Sequence, residues 1–296
     1  MKHGTIICGT VSTPDLDAAL GDYRDKLGLN VVEAGAVAAD LAAGWGTAAS
    51  AGTRYALLRP TSGAESFVRL VEAPIPADFV PTRTYGWAAF EITVQDVFGW
   101  PTRLADSGFD IVGDPREIPG LPYFVAMQML GRGREMIYLN EVRSNTPTSD
   151  LPPAASPVDH IFIVILACQD RPRVLDWYRD RLRLDIGSDY TIPYTMISKA
   201  FGLPADHLST ITMVQNGRLP IVEVDGYPDA ATPRPGPLDR LPAGNAMVTL
   251  AVDDLDALDL AWIAPPTFYH GPLYDGRRAA TVRGLASELL ELVETG

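Results

Sequence analysis

The alternation of apolar and polar residues predicts short strands, each followed by an amphipathic helix. "TIICGTV" (5–11) and "HIFIVIL" (160–166) are apolar runs of the length expected for strands. After the first run, Leu16, Leu20 and Tyr23 recur every three or four positions. This spacing is typical of a helix that buries one face against a sheet.

A second copy of this pattern lies in the other half of the chain. "YRDKLGL" at 23–29 and "YRDRLRL" at 178–184 share five of seven letters. Thr13 and Asp170 stand before the two helices, where we expect N-cap residues. The strand, the cap and the helix therefore recur together, which indicates a duplicated chain.

Each half contains a further unit of the same kind. "AAFEITVQDV" (88–97) and "AMVTLAVDDL" (246–255) are strands that end in Val-x-Asp. Every unit closes with a segment rich in strand-forming residues, and these segments are "SFVRLVEA", "EMIYLNEV", "LPIVEVDG" and "ELLELVET". The pattern predicts four β-α-β-β-β modules.

A linker-like segment separates the halves. "VRSNTPTSDLPPAASP" (142–157) is rich in Pro, Ser, Thr and Ala and has few large apolar residues. We therefore expect an N-terminal domain over 1–142, a linker over 143–157 and a C-terminal domain over 158–296.

Composition and charge narrow the classes of function. The formal net charge of −13 comes without a basic stripe, so we expect no nucleic-acid partner. The longest apolar run, 161–168, is far shorter than the roughly 20 residues of a membrane-spanning helix, so we expect no membrane partner. Cys8 and Cys168 form no zinc pattern and suggest buried thiols. A cytoplasmic location is the expectation.

The modules resemble the vicinal oxygen chelate superfamily, which includes glyoxalases, bleomycin-resistance proteins and extradiol dioxygenases. The resemblance rests on the helix ending "DWYRDRL", the turn "VDDLDAL" at 252–258 and the terminal "GLASELLELVE" at 284–294. It implies an α+β fold in which four βαβββ modules pair into two cup-shaped, barrel-like domains of mixed sheet.

The resemblance also implies that the first and last strands of each module direct side chains into the cup. In the C-terminal half these positions are His160 and Glu223 of the third module, and Met247 and Glu291 of the fourth. Asp225 lies on the same strand face as Glu223 and is an alternative inward group. In the N-terminal half the positions are Thr5 or Ile6, Arg69, Ala89 and Tyr138, which include no imidazole or carboxylate.

On this basis His160, Glu223 and Glu291 are the expected metal ligands in the C-terminal domain. One imidazole and two carboxylates suit Fe²⁺, Mn²⁺, Zn²⁺ or Mg²⁺. Met247 departs from the family pattern, because a thioether is a poor substitute for imidazole on a hard cation. Met247 is instead expected to line the substrate pocket or to pack in the core.

Further candidate residues lie in two aromatic segments. His270 and Tyr274, in "PPTFYHGPLYDGRR", are expected to act with Glu223 as catalytic groups, and a surface-loop histidine is the alternative for His270. The expected substrate-binding residues, besides Met247, are Tyr269, Tyr194 and Phe201. Ordinary strand packing is the alternative for Tyr194 and Phe201, in "DYTIPYTMISKAFGLP".

The leading hypothesis is a metal-dependent enzyme that moves a proton on a small oxygenated organic molecule, with an aromatic one as an option, as in isomerases and lyases. Extradiol ring cleavage is the first alternative, and it needs a second imidazole. A metal-free small-molecule binding or resistance protein is the other alternative. The expected partner is a small organic molecule, and association between copies of the chain stays open.

Overall fold

The computed structural model describes residues 1–118 and 121–296, which form four modules of strands with a few short helices. The strands are, in chain order, β1 (Ile6–Thr13), β2 (Asn30–Ala36), β3 (Arg54–Arg59) and β4 (Phe67–Glu72) in module 1; β5 (Gly86–Val94), β6 (Asp110–Ile118), β7 (Leu121–Leu130) and β8 (Met136–Val142) in module 2; β9 (Val158–Cys168), β10 (Asp185–Pro193), β11 (Leu208–Asn216) and β12 (Leu219–Gly226) in module 3; and β13 (Gly244–Val252), β14 (Thr267–Phe268), β15 (Arg278–Arg283) and β16 (Leu289–Glu294) in module 4. The helices are α1 (Leu16–Gly21), which continues as a π-helical turn over Asp22–Lys26, α2 (Ala39–Gly44), α3 (Trp100–Arg103), α4 (Arg171–Leu182) and α5 (Thr195–Phe201).

The strands form two eight-stranded mixed sheets. Sheet 1 has the order β14-β15-β16-β13-β1-β4-β3-β2, and sheet 2 has the order β10-β11-β12-β9-β5-β8-β7-β6. The predicted α+β fold of four modules in two cup-shaped sheets is confirmed.

The predicted pairing of modules within each half is not the one the sheets show. Strand β1 pairs antiparallel with β13, so module 1 joins module 4, and β5 pairs antiparallel with β9, so module 2 joins module 3. Each half of the chain, 1–142 and 158–296, therefore contributes one module to each sheet. The segment 143–157 connects two modules of the same sheet, sheet 2.

The main hydrophobic core lies between the two sheets and the helices. Strand β1 approaches sheet 2 so closely that a Cβ atom on Gly9 would lie 2.7 Å from the Phe90 ring. Trp87 of sheet 2 donates its indole N–H to the carbonyl of Leu289 in sheet 1 at 2.7 Å. Because of this packing, each sheet has one face in the core and one face free to form a cup.

The repeated tyrosine of "YRD" joins the two sheets. The hydroxyl of Tyr23, after α1, donates to Glu135 Oε1 at 2.8 Å, and Glu135 directly precedes β8 of sheet 2. The hydroxyl of Tyr178, in α4, donates to Glu288 Oε1 at 3.1 Å, and Glu288 directly precedes β16 of sheet 1. The repeat therefore carries a buried hydrogen bond between consecutive modules.

Both glutamates need a glycine beside them. A Cβ atom on Gly131 would lie 1.9 Å from Glu135 Oε1, and one on Gly284 would lie 2.0 Å from Glu288 Oε1. The G-x-x-x-E spacing therefore leaves room for the glutamate to fold back on its own turn. Burial raises the pKa of Glu135 and of Glu288 to about 7.

The two repeated helices begin at aspartates. Asp170 accepts from the backbone N–H of Arg173 at 3.1 Å, which confirms it as the predicted cap of α4. The cap of α1 is Asp15, which accepts from Ala18 N at 3.0 Å. The prediction of Thr13 was wrong, because Thr13 still belongs to β1.

Two smaller predictions concern membranes and cysteines. Within the described residues, none of the helices is long and apolar enough to cross a lipid bilayer. Cys8 and Cys168 are both free and buried, as predicted. Burial raises the pKa of each thiol to about 12, so both remain protonated. The cytoplasmic location stays a prediction.

Candidate functional site

The free face of sheet 1, called cup 1, brings together the last strands of modules 1 and 4. Arg69 of β4 lies beside Thr10 of β1, and Glu291 of β16 lies beside Thr249 of β13. The two last-strand positions predicted to point inward, Arg69 and Glu291, do meet in one cup. They come from opposite ends of the chain rather than from one domain.

A buried ion pair occupies the floor of cup 1. Arg69 Nη2 donates to Glu291 Oε2 at 2.9 Å, and the two side chains are 2% and 1% exposed. Arg69 also donates to the hydroxyls of Thr10 at 3.0 Å and of Tyr274 at 2.8 Å. The guanidinium lies 4.5 Å from the centre of the Trp45 ring. Arg69 is thus held on several sides by groups from both modules.

Glu291 accepts hydrogen bonds from three further donors. These are the indole N–H of Trp45 at 2.7 Å and the hydroxyls of Tyr274 and Thr249, each at 2.7 Å. Burial alone would raise the pKa of Glu291, but Arg69 and these donors outweigh it and hold the pKa below its usual value. Glu291 is therefore an ionised, fully engaged carboxylate.

Above this floor lies a pocket with a volume of ≈ 220 Å³. Trp45, Leu57 and Tyr274 line its depth, and Tyr55 and Tyr269 line its side. The rim carries Glu33, Asp40, Phe268 and His270. The pocket is therefore an aromatic chamber with an acidic rim.

The ≈ 220 Å³ volume of this chamber sets the size of the molecule that it can hold. An engineered apolar cavity of about 150 Å³ is enough to bind benzene. The chamber of cup 1 is therefore large enough for one substituted ring and too small for an extended ligand.

Two segments close over the chamber. The hydroxyl of Tyr269 lies against α2, where a Cβ atom on Gly44 would be 2.5 Å away from it. Glu33 accepts from the Tyr55 hydroxyl at 2.8 Å, and its carboxylate lies against Gly271. Helix α2 of module 1 and the segment between β14 and β15 of module 4 thus meet at the mouth.

The free face of sheet 2, called cup 2, has a different set of polar groups. The hydroxyl of Tyr194 donates to Glu223 Oε1 at 3.2 Å and lies 3.2 Å from the hydroxyl of Tyr138. Tyr194 is the residue before α5, and α5 packs Met196 against a cluster that includes Tyr138. Helix α5 therefore covers cup 2, as expected for a pocket wall.

Cup 2 gathers carboxyl groups, and the positive charge of Arg171 does not offset the rise in the pKa of Asp225. Glu91 of β5 lies beside Tyr138, and Glu223 and Asp225 point to the same side of β12. Burial raises the pKa of Glu223 to about 7, and burial together with Glu223 raises the pKa values of Glu91 and Asp225. Within the described residues, Asp225 Oδ1 and Asn140 Oδ1 are buried without a hydrogen-bond partner. Cup 2 thus holds a surplus of acceptors.

The structure does not bring the three predicted metal ligands together. Glu291 lies in sheet 1, whereas Glu223 and His160 lie in sheet 2. In sheet 2 the residue of β9 beside Glu223 is Ile165, and His160 stands five residues earlier, which is about 16 Å along a strand. The side chain of His160 is 40% exposed and its Nδ1 atom lies 3.1 Å from Asp159.

The other predicted site residues divide between the two cups. Tyr269, His270 and Tyr274 line the chamber of cup 1, so they are separated from Glu223, with which they were expected to act. Met247 is fully buried and packs with Trp45 in the wall of cup 1. The residues that cup 2 brings together are Tyr194, Phe201 and Glu223.

The donor set of neither cup fits the expected divalent metal. In cup 1 the guanidinium of Arg69 takes the place beside Glu291 that a cation would need, and like charges repel. In cup 2 the expected imidazole, His160, stands about 16 Å along β9 from the level of Glu223. Across residues 1–118 and 121–296, no group of three or more His, Cys, Asp or Glu side chains converges on one point.

Sequence reasoning missed Glu91 and Trp45. Glu91 carried a usable signal, because it is the single acid in the apolar strand "GWAAFEITV", the criterion that identified Glu291. Trp45 carried none, because it lies just after a short helix and reaches Glu291 only through the pairing of modules 1 and 4.

Comparison with solved structures shows which fold this is. Glyoxalase I from Zea mays aligns with a TM-score of 0.62 and 16% identity, over 98% of this chain and 92% of that chain. A proposed dioxygenase from Bacillus subtilis subsp. subtilis str. 168 aligns with a TM-score of 0.60 and 11% identity, over 99% of this chain and 86% of that chain. The predicted resemblance to the vicinal oxygen chelate superfamily is confirmed at the level of the fold.

Sequence comparison adds no match. The chain matches no known family profile, and no curated protein matches it in sequence.

Proposed function

We propose that the chain binds a small, single-ring organic molecule in the chamber of cup 1 and that this binding needs no metal. The observation that carries the proposal is the Arg69–Glu291 ion pair, which forms the floor of an aromatic chamber at the point where the last strands converge. The pair satisfies itself, so the floor offers a ligand a neutral, preorganised surface.

The charges at the mouth favour a cationic ligand, such as an aromatic amine. Glu33 and Asp40 stand on the rim, and the charge of Arg69 is already balanced by Glu291. The faces of Tyr55 and Tyr269 are also favourable surfaces for a cation. An anion would meet the rim carboxylates and would find no free guanidinium on the floor.

Calorimetric titration with three matched probes tests the proposal. We expect 2-phenylethylamine to bind at least about tenfold more tightly than phenylacetate, with ethylbenzene between them. Glu33→Gln should weaken the binding of 2-phenylethylamine. Asp78→Asn, which removes an exposed charge outside the chamber, should leave that affinity unchanged. Equal binding of the amine and phenylacetate would contradict the proposal.

Removal of metal tests the second half of the proposal. Protein dialysed against a chelator should bind 2-phenylethylamine with unchanged affinity, because no described donor set depends on a metal. Loss of binding after chelation, with recovery on addition of a divalent ion, would show that the metal-dependent hypothesis was right.

Cup 2 favours a second candidate function, which is proton transfer. Glu223 has its pKa raised to about 7 by burial, and this is the value that suits a general acid or base at neutral pH. Tyr194, on the covering segment, donates to that carboxyl and would leave it if α5 moved. With this second function the protein is an isomerase or lyase that works without a metal.

Deuterium exchange tests the second candidate. The protein is incubated in D₂O with small ketones, and loss of the α-proton signal is followed by NMR. Glu223→Gln should abolish any catalysed exchange, and Glu117→Gln, on an exposed edge, should leave it intact. Exchange that persists in Glu223→Gln would remove cup 2 as its origin.

Extradiol ring cleavage finds no support in the described donors. It needs two imidazoles and a carboxylate on one iron. His270 is at the rim of cup 1 and His160 at one end of β9. His3 contacts the carbonyl of Leu182, and His207 is exposed just before β11. These imidazoles come from separate places in the fold.

A further inference from the structure

A second cavity lies outside both cups, where the chain crosses between the two sheets. Its volume is ≈ 450 Å³. It is bounded by the segment after β4, the segment before β13 and the turn before β16. None of its lining residues lines the chamber of cup 1.

The cavity is lined by three arginines. Arg234, Arg240 and Arg283 all contribute to its surface, and within the described residues none of them forms an ion pair with a carboxylate. The single acid of the lining is Glu288, whose carboxyl is taken up by the Tyr178 hydroxyl and by the N–H of Ala286. The cavity is therefore positive in a chain whose formal net charge is −13.

Arg234 is the fixed element of this cluster. It donates to the carbonyls of Trp87 at 2.6 Å, Asn245 at 2.7 Å and Ala243 at 3.1 Å. These acceptors orient the guanidinium but leave its charge uncompensated. Burial lowers the pKa of Arg234 to about 10, which reflects the cost of holding that charge away from water.

The remaining walls are apolar and rigid. Prolines stand on both sides of the cavity, among them Pro74, Pro76, Pro235 and Pro242, and Trp87 supplies an aromatic face. Proline walls change little on binding, because their backbone is already restricted. A cavity of this volume is within the range of sites for small organic ligands, which is about 300 to 1,000 Å³.

We propose that this cavity is a binding site for a small organic carboxylate with an aromatic body. Its carboxylate contacts Arg240 and Arg283, near the positive field of Arg234, and its ring lies between the proline walls and Trp87. The ligand then contacts the segment after β4 and the segment before β13 at the same time. It links sheet 1 to sheet 2 in addition to the Tyr–Glu hydrogen bonds.

Calorimetry with 1-naphthoate as the probe tests the proposal on the full chain. We expect saturable binding at one site, and 1-naphthamide, which has the same shape without the charge, should bind at least about tenfold more weakly. Arg240→Gln and Arg283→Gln should each lower the affinity for 1-naphthoate by about tenfold. Arg59→Gln, which removes the same charge elsewhere, should bind like the unaltered protein.

Arg234 itself is left unaltered, because its three carbonyl contacts make a folding defect the expected result of its removal. Circular dichroism and a thermal transition confirm that the other variants are folded. The proposal is overturned if 1-naphthoate does not saturate, if 1-naphthamide binds equally well, or if both folded arginine variants keep full affinity.

Discussion

Cup 1 and cup 2 are built by the same strands of equivalent modules, yet they balance charge in opposite ways. In cup 1 the two last-strand residues are Arg69 and Glu291, and they neutralise each other at 2.9 Å. In cup 2 the equivalent residues are Tyr138 and Glu223, and the positive charge of Arg171 does not offset the rise in the pKa of Asp225 beside Glu223.

This difference in charge goes with a difference in access. In cup 1 the charges of Arg69 and Glu291 are paired, and an open chamber lies above them. Cup 2 has unsatisfied acceptors and is covered by α5, which brings Tyr194 to Glu223. In this chain the cup whose last-strand charges are paired has the open chamber, and the cup with surplus carboxyls is covered by its own helix.

The largest expected effect comes from breaking the ion pair of cup 1. Arg69→Met should lower the free energy of unfolding by about 3 to 5 kcal/mol, because it leaves Glu291 buried and unpaired. Chemical denaturation measures this change. The double variant Arg69→Met with Glu291→Met should recover most of the loss, and a single variant as stable as the unaltered protein would show that the pair is not balanced as described.

The same substitution should act with opposite signs in the two cups. At pH 8, Glu291→Gln should destabilise the fold, since Arg69 loses its counter-charge. Glu223→Gln should stabilise it by about 1 kcal/mol or more, since it removes a carboxyl that resists ionisation. At pH 4 the gain from Glu223→Gln should vanish. Equal signs in urea unfolding at pH 8 would contradict the comparison.

The twin glutamates Glu135 and Glu288 should add a pH dependence that both sheets share. Their pKa values are about 7 in the folded chain against an ordinary value of 4.5, so the folded state binds more protons between these pH values. The free energy of unfolding should therefore fall as pH rises from 4.5 to 7, by on the order of 1 kcal/mol per pH unit for each group. Below pH 4.5 this contribution is fully present.

Thermal or urea unfolding across that pH range measures the slope. The double variant Glu135→Gln with Glu288→Gln should reduce this slope, and the titration of Glu223 should account for part of what remains. Glu65→Gln, at an exposed position, serves as the control. A slope that does not change in the double variant would show that neither glutamate titrates there.

The smallest effect compares the two repeated helices. Asp15→Ala and Asp170→Ala should each cost about 1 kcal/mol, because each removes an N-cap hydrogen bond. Thr13→Ala, at the position first expected to cap α1, should cost less at the cap. Asp15→Ala with unchanged stability in denaturant unfolding would contradict its role as the cap.

The four modules could be predicted from the sequence, because each is defined by a local pattern of residues. The strand and helix periods and the Asp170 cap follow from short spacings, and the inward positions Arg69 and Glu291 follow from the family resemblance. Which module pairs with which could not be predicted, because β1 pairs with β13 across most of the chain and either pairing buries the same apolar faces.

The predicted set of metal ligands was wrong for a related reason, because it depended on strand pairing and register rather than on a local pattern. His160 was placed by its position at the start of a strand, but β9 is 11 residues long and the level of Glu223 falls at Ile165. Register shifts between β1 and β13 have the same effect in cup 1. Inward direction was readable from alternation, whereas height along the strand depends on bulges that the sequence does not mark.

The pairing of the outer modules also has a consequence for synthesis on the ribosome. Modules 2 and 3 are adjacent in the chain, so sheet 2 can assemble while the fourth module is still being made. Sheet 1 must wait, since β1 emerges long before its partner β13. Arg69 therefore lacks its counter-charge until β16 has been released, and a complete cup 1 identifies a chain that has been translated through Glu294.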